Sequence, residues 1–174
     1  MTLTPLFGMP THAYSNLPKS GHDPVAQPEG DIMSTTTLYT TEALSTGDGR
    51  NGEVRSLDGV LDEVLAVPKE MGGPGGDRTN PEQLFAAGYA ACFHNGLRLI
   101  AAQQEVKVPG STVTSTVSLL SKEDGGFTLA VKLSVHLPGV EQATADRLVQ
   151  TTHQVCPYSN ATRGNIDVTL EATV

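Results

Sequence analysis

In Val113-Thr114-Ser115-Thr116-Val117-Ser118-Leu119 and Phe127-Thr128-Leu129-Ala130-Val131-Lys132-Leu133-Ser134-Val135-His136-Leu137, large apolar residues recur at every second position, with Ser115 the one exception. Successive side chains on a strand point to opposite faces, so each run is a strand with one buried face. Asp124-Gly125-Gly126 joins them, which makes the pair an antiparallel hairpin carrying Lys132 and His136 on its open side. A last alternating run, Ile166, Val168, Leu170, Ala172 and Val174, closes the chain as another strand. Between the hairpin and this strand, residues from about Val140 to Val155 carry Ala145, Leu148, Val149 and Thr152 on one helical stripe. Pro157 cannot continue that helix.

Upstream of the hairpin, Asn80-Pro81-Glu82 is a helix start: a side-chain cap, a proline at the first helical position and an acid in the first turn. The helix is expected to run to about Gln104. Leu84 to Phe93 is apolar on nearly every face, so this helix is expected to be buried, and Ala87, Gly88, Ala91 and Gly96 leave room for another helix to approach. Earlier still, Thr36 to Thr46, Glu53 to Ser56 and Val60 to Val67 read as short strands. The first two are separated by Gly47-Asp48-Gly49-Arg50-Asn51-Gly52, whose Asn-Gly is a hairpin-turn signal. Runs of strands with two helices among them give an α+β fold with antiparallel sheets around two buried helices. The glycine-rich stretch Met71 to Asp77 lacks the Gly-Lys-Ser/Thr ending of a phosphate-binding loop.

The chain has 174 residues, 38% of them apolar and 17% charged, which suits one domain with a sizeable core. Residues 1–32 differ from the rest. They hold Pro5, Pro10, Pro18, Pro24 and Pro28, show no periodicity and are expected to be a disordered tail before a 33–174 domain. A net charge of −8 disfavours nucleic acid or an anionic membrane surface as partner. The longest charge-free run in the folded part, Gln83 to Leu97, is too short to span a bilayer. No basic and then apolar leader is present at the N-terminus, so the expected location is the cytoplasm.

Two cysteines, Cys92 and Cys156, make no disulfide framework, and a cytoplasmic chain keeps them reduced at rest. Both suit small core positions, since free cysteine is among the most buried residue types. His153 and Cys156 could share a helix face, but the four-ligand set of a metal site is missing, and His94 points away from Cys92. A reactive thiol needs a nearby cation. Cys92 is ten residues beyond Glu82, roughly 15 Å along a regular helix, so the dipole of that helix helps little and an arginine from elsewhere is required. Arg50 and Arg163 are the candidates.

The run Asn80-Pro81-Glu82-Gln83-Leu84-Phe85-Ala86-Ala87-Gly88-Tyr89-Ala90-Ala91-Cys92-Phe93 resembles the first cysteine motif of the organic hydroperoxide resistance (Ohr) proteins. These belong to the larger family that includes osmotically inducible protein C (OsmC). Val155-Cys156-Pro157-Tyr158-Ser159-Asn160-Ala161-Thr162-Arg163-Gly164-Asn165 resembles the second motif, and Leu38-Tyr39-Thr40 with the turn Thr46 to Gly52 resembles the N-terminal strand and turn. The likeness covers roughly Met33 to Val174. The resemblance implies an OsmC-like intertwined homodimer, with Cys92 as peroxidatic and Cys156 as resolving cysteine, and with Arg50 and Glu82 organising the thiolate. The turn here reads Gly47-Asp48-Gly49-Arg50 where the family shows Gly-Gly-Arg, which leaves Arg55 as the alternative arginine.

It further implies a cysteine-based peroxidase that reduces alkyl and fatty-acyl hydroperoxides in oxidative stress defence. No cofactor is bound; dihydrolipoamide or a lipoylated protein is the reductant. Phe85, Tyr89 and Phe93 supply apolar walls that suit an organic peroxide. In a continuous helix, Glu82 and Cys92 of one chain are too far apart to share a site. A dimer in which Arg50 and Glu82 of one chain face Cys92 of the other removes the difficulty. The competing readings are a relative within the family with a different oxidant preference and the same Cys92 and Cys156 chemistry, a ligand-binding or redox-sensing protein using the same apolar pocket, and a structural domain with inert thiols.

Overall fold

The computed structural model describes residues 35–174, so the expected 1–32 tail lies outside the described residues. Two three-stranded sheets are formed. The first is an antiparallel meander of β1 (Ala43–Thr46), β2 (Glu53–Ser56) and β3 (Asp62–Val64). It is followed by α1 (Pro81–Gln103). The second sheet holds β4 (Thr112–Ser121), β5 (Phe127–His136) and, after α2 (Gln142–Val155) and α3 (Pro157–Thr162), β6 (Asp167–Thr173) in the order β4-β5-β6.

The hairpin forms in the register that its alternation demands. Val113 faces Val135, Ser115 faces Leu133, Val117 faces Val131 and Leu119 faces Leu129. β6, however, pairs with β5 in parallel, where antiparallel sheets were expected. The two helices between them act as a crossover connection, which returns the chain to the starting end of the sheet. Alternation reports which face of a strand is buried and carries no information on its direction.

The core lies between this sheet and the helices. Tyr89, Phe93, Leu97, Ile100 and Ala101 of α1 meet Val131, Leu133 and Val135 of β5, with Leu137 just beyond it, and Ala145, Leu148 and Val149 of α2, all buried. Each fully buried Leu or Phe contributes on the order of 1.5–3 kcal/mol. Asn80 caps α1 as expected, accepting from the Gln83 N–H at 2.9 Å. Gly96 lets α2 come close, since a Cβ there would stand 3.3 Å from Thr152 Cγ2. The expectation of a helix buried all round is corrected: Ala87, Ala91 and Leu99 are exposed, because one chain packs only one side of α1.

The first sheet is built differently. None of the residues in β1, β2 or β3 is buried, and the strands are shorter than the sequence patterns. Thr36–Thr46 contracts to Ala43–Thr46, and Val60–Val67 contracts to Asp62–Val64 with one further bridge from Leu65 to Thr79. Ladder pairing needs a facing strand, and among the described residues no strand faces the remainder.

Candidate active site

Cys92 occupies the middle of α1, and Cys156 the joint between α2 and α3. The residue before a proline is steered to extended backbone. Cys156 has φ −63° and ψ 125°, ends α2 by donating its N–H to the Thr152 carbonyl, and leaves Pro157 as the first residue of α3. Pro157 therefore both stops one helix and starts another. The Cys156 sulfur lies 3.6 Å from that of Cys92, with both cysteines free. Cys156 is wholly buried and Cys92 half-buried.

Burial pushes the Cys92 thiol above its ordinary pKa, the neighbouring Cys156 adds to this, and the Tyr158 backbone N–H on its sulfur works the other way. Among the described residues no cation acts on it. The Phe85 and Tyr89 rings of α1 meet edge to face at 5.9 Å, and Tyr158 of α3 lies 5.7 Å from Tyr89. Tyr158 lies against α1 at Gly88, where a Cβ would stand 3.1 Å from its hydroxyl.

Arg50 and Glu82 form a second, separate pair. The guanidinium donates twice to the carboxylate, at 2.6 and 2.9 Å, the two-pronged geometry that suits this fork. The hydrogen bonds from Arg50 hold the Glu82 carboxyl below its ordinary value against the effect of burial, and Glu82 raises Arg50 in turn. Arg50 is carried by a 3-10 turn, Gly49–Asn51, within the expected turn of residues 47–52 that joins β1 to β2. The turn is clamped: the Asn51 side chain accepts from the Val67 N–H at 3.0 Å, and a Cβ on Gly52 would stand 2.0 Å from the Thr46 carbonyl oxygen. Beside the pair, a cleft of about 350 Å³ is lined by Phe85, Leu119, Phe127 and Leu129.

The alternative arginines lie elsewhere. Arg55 is exposed on β2, between Glu53 and Asp62. Arg163 is spent on the His153 carbonyl at 2.6 Å and on Asn160. His94 is bonded to Ser111, and among the described residues no group of three His, Cys, Asp or Glu side chains could hold a metal. One chain thus brings together Cys92 with Cys156, and Arg50 with Glu82. Because α1 is unbroken from Pro81 to Gln103, ten residues and roughly 15 Å separate Glu82 from Cys92 along the axis. Tyr89, Ser159 and Thr162, which tie α1 to α3 by their hydroxyls, were not singled out as a polar group by the sequence. The signal available was Pro157, a residue as suited to a helix start as to a helix stop.

Residues 73–171 match the family described as OsmC-like protein. An organic hydroperoxide resistance protein from Xanthomonas axonopodis pv. citri is 53% identical over 133 residues, 76% of this chain and 93% of its own length. A crystal structure of an organic hydroperoxide resistance protein from Legionella pneumophila superposes with a TM-score of 0.76 at 50% identity, covering 80% of this chain and 100% of that one. The structure of the organic hydroperoxide resistance protein OhrB of Bacillus subtilis gives 0.72 at 44% identity, over 79% and 100%.

Proposed function

This chain belongs to the OsmC-like family, and from that premise we propose that it is a thiol peroxidase that reduces organic hydroperoxides in oxidative stress defence. The observation that carries the reading is the 3.6 Å contact between two free sulfurs on different helices. Relatives named for organic hydroperoxide resistance, at about half identity over nearly their whole length, support the substrate class.

The Cys92 thiolate attacks the peroxide O–O bond, releasing an alcohol and leaving a sulfenic acid. Cys156 then condenses with it to a disulfide, which a dihydrolipoyl donor reduces. Burial and the neighbouring Cys156 push the Cys92 thiol above its ordinary pKa, so the attacking form calls for a cation, and none among the described residues of one chain acts on it. A homodimer supplies it: Arg50 of the partner subunit, oriented by Glu82 of the partner subunit, faces Cys92 and stabilises both the thiolate and the departing oxygen. Three features support that assembly. The β1–β3 sheet has no buried residue, Ala87 and Ala91 leave one side of α1 open, and β4 stands at the edge of its sheet.

The test is peroxide consumption with dihydrolipoamide as donor, comparing an alkyl hydroperoxide with hydrogen peroxide. Faster turnover of the organic substrate is expected. Absence of turnover with dihydrolipoamide and with other dithiols, in a folded protein, would overturn the reading.

A further inference from the structure

Tyr89 lies three residues before Cys92 on α1, a spacing that sets the two on neighbouring parts of one helix face. Its side chain is wholly buried, and its hydroxyl donates to Ser159 Oγ at 2.9 Å and meets Thr162 Oγ1 at 3.2 Å. Ser159 and Thr162 are the buried residues of α3. A helix of six residues is too short to hold itself by its own hydrogen bonds, so contacts to its neighbours fix where it sits. This helix matters to both sulfurs. Cys156 immediately precedes its first residue, and the Cys156 sulfur stands 3.6 Å from that of Cys92.

We propose that Tyr89 is a positioning residue for the resolving step, its hydroxyl holding α3 so that Cys156 stays within reach of Cys92 once Cys92 is oxidised. This rests on the thiol-peroxidase reading. In that step the Cys156 sulfur gives up its proton and attacks the sulfur of the Cys92 sulfenic acid. The S–S bond forms, the S–O bond breaks, and hydroxide leaves with the proton as water. Cys156 is oxidised as the sulfenic sulfur is reduced to the disulfide level. The competing reaction is a second hydroperoxide converting the sulfenic acid to sulfinic acid. A helix that has lost its tether shifts the balance toward that competitor.

The experiment uses the full chain, reduced and then oxidised with one equivalent of an alkyl hydroperoxide. Stopped-flow loss of the Cys92 thiol reads the attack. Dimedone trapping with intact-mass measurement separates sulfenic acid, disulfide and sulfinic acid. For Tyr89→Phe disulfide formation slows roughly five- to tenfold relative to that variant's own rate of attack, the scale of one buried hydrogen bond. Sulfinic acid then forms at lower hydroperoxide. Tyr89→Phe combined with Ser159→Ala removes the orphaned hydroxyl, so it recovers thermal stability without recovering the rate. If Tyr89→Phe does not fold, Ser159→Ala removes the same hydrogen bond from the α3 side, with the same expected slowing. An unchanged disulfide rate in the variant, or a rate that recovers together with the melting temperature, overturns the proposal. Wild type forming no Cys92–Cys156 disulfide at all would bring down the peroxidase reading itself and this proposal with it.

Discussion

The two sheets of this chain are made on opposite terms. The β4-β5-β6 sheet has α1 and α2 packed on it, with Leu133, Leu137 and Leu148 fully buried between them. The β1-β2-β3 sheet has no buried residue and leaves Leu44, Leu57, Val60 and Val64 largely exposed. A short meander without a hydrophobic face against something else is marginal in water. The packed half carries both sulfurs, and the bare half carries Arg50, held to α1 by its two hydrogen bonds to Glu82. Stability and the thiol pair are concentrated in one region. In the proposed homodimer the charge needed to make a thiolate comes from the other.

The largest effect expected from testing this division is at the sulfurs. Cys92→Ser should bring hydroperoxide turnover down to background with its melting temperature nearly unchanged. Cys156→Ser should allow one rapid turnover, after which mass spectrometry finds sulfinic acid on Cys92. Multiple turnover by Cys92→Ser would break the assignment. Next comes Arg50→Ala, with kcat/KM expected to fall by about two to three orders of magnitude, the usual scale for losing a charge at a developing oxyanion. Its thermal stability should hardly move, because the side chain is in the bare half.

Core truncation sharpens the contrast in stability. Leu148→Ala should cost about 2–5 kcal/mol at any protein concentration, read by urea denaturation. Leu44→Ala, on the open sheet, should act through association instead, lowering the melting temperature chiefly in dilute protein. Equal, concentration-independent losses from both would show that the first sheet is as well packed within one chain as the second. The smallest effect belongs to Glu82. Its carboxyl is held below the ordinary value of 4.5 by Arg50. The stabilisation from this pair is complete above the unfolded-state pKa and fades as pH falls through the lower folded-state one. With Arg50 40% exposed, the pair is worth about 1 kcal/mol or less. The stability difference between wild type and Glu82→Gln should therefore be constant at neutral pH and shrink only below about pH 4.5, measured as a series of denaturation curves.

The packed half was the legible half. Alternation and the Asp124-Gly125-Gly126 turn marked β4 and β5 as a hairpin with one buried face, Asn80-Pro81 marked where α1 begins, and the stripe Ala145, Leu148, Val149 and Thr152 is the buried face of α2. The parallel run of β6 was not legible, because a strand pattern has no arrow. α3 was missed because Pro157 to Thr162 is too short to show a helical period. In the bare half the Thr-rich run 36–42 has the composition of a strand, yet pairing is settled by neighbours and not by composition. The two cysteines stood out through resemblance to known motifs, whereas their 64-residue separation says nothing of a contact. The pairing of Arg50 with Glu82, 32 residues apart, is likewise a product of the turn and the helix start meeting in space.

α1 runs without a break from Pro81 to Gln103, with Glu82 in its first turn and Cys92 near its middle. Such a helix is a ruler as well as a wall. Each residue added or removed between those two positions would turn Cys92 by about 100° relative to Glu82 and move it by about 1.5 Å. The sulfur would then leave the face on which Tyr158 and Cys156 meet it. This span can absorb changes of letter far more readily than a change of length, so an insertion or deletion of even one codon there should be lethal to activity while many substitutions pass.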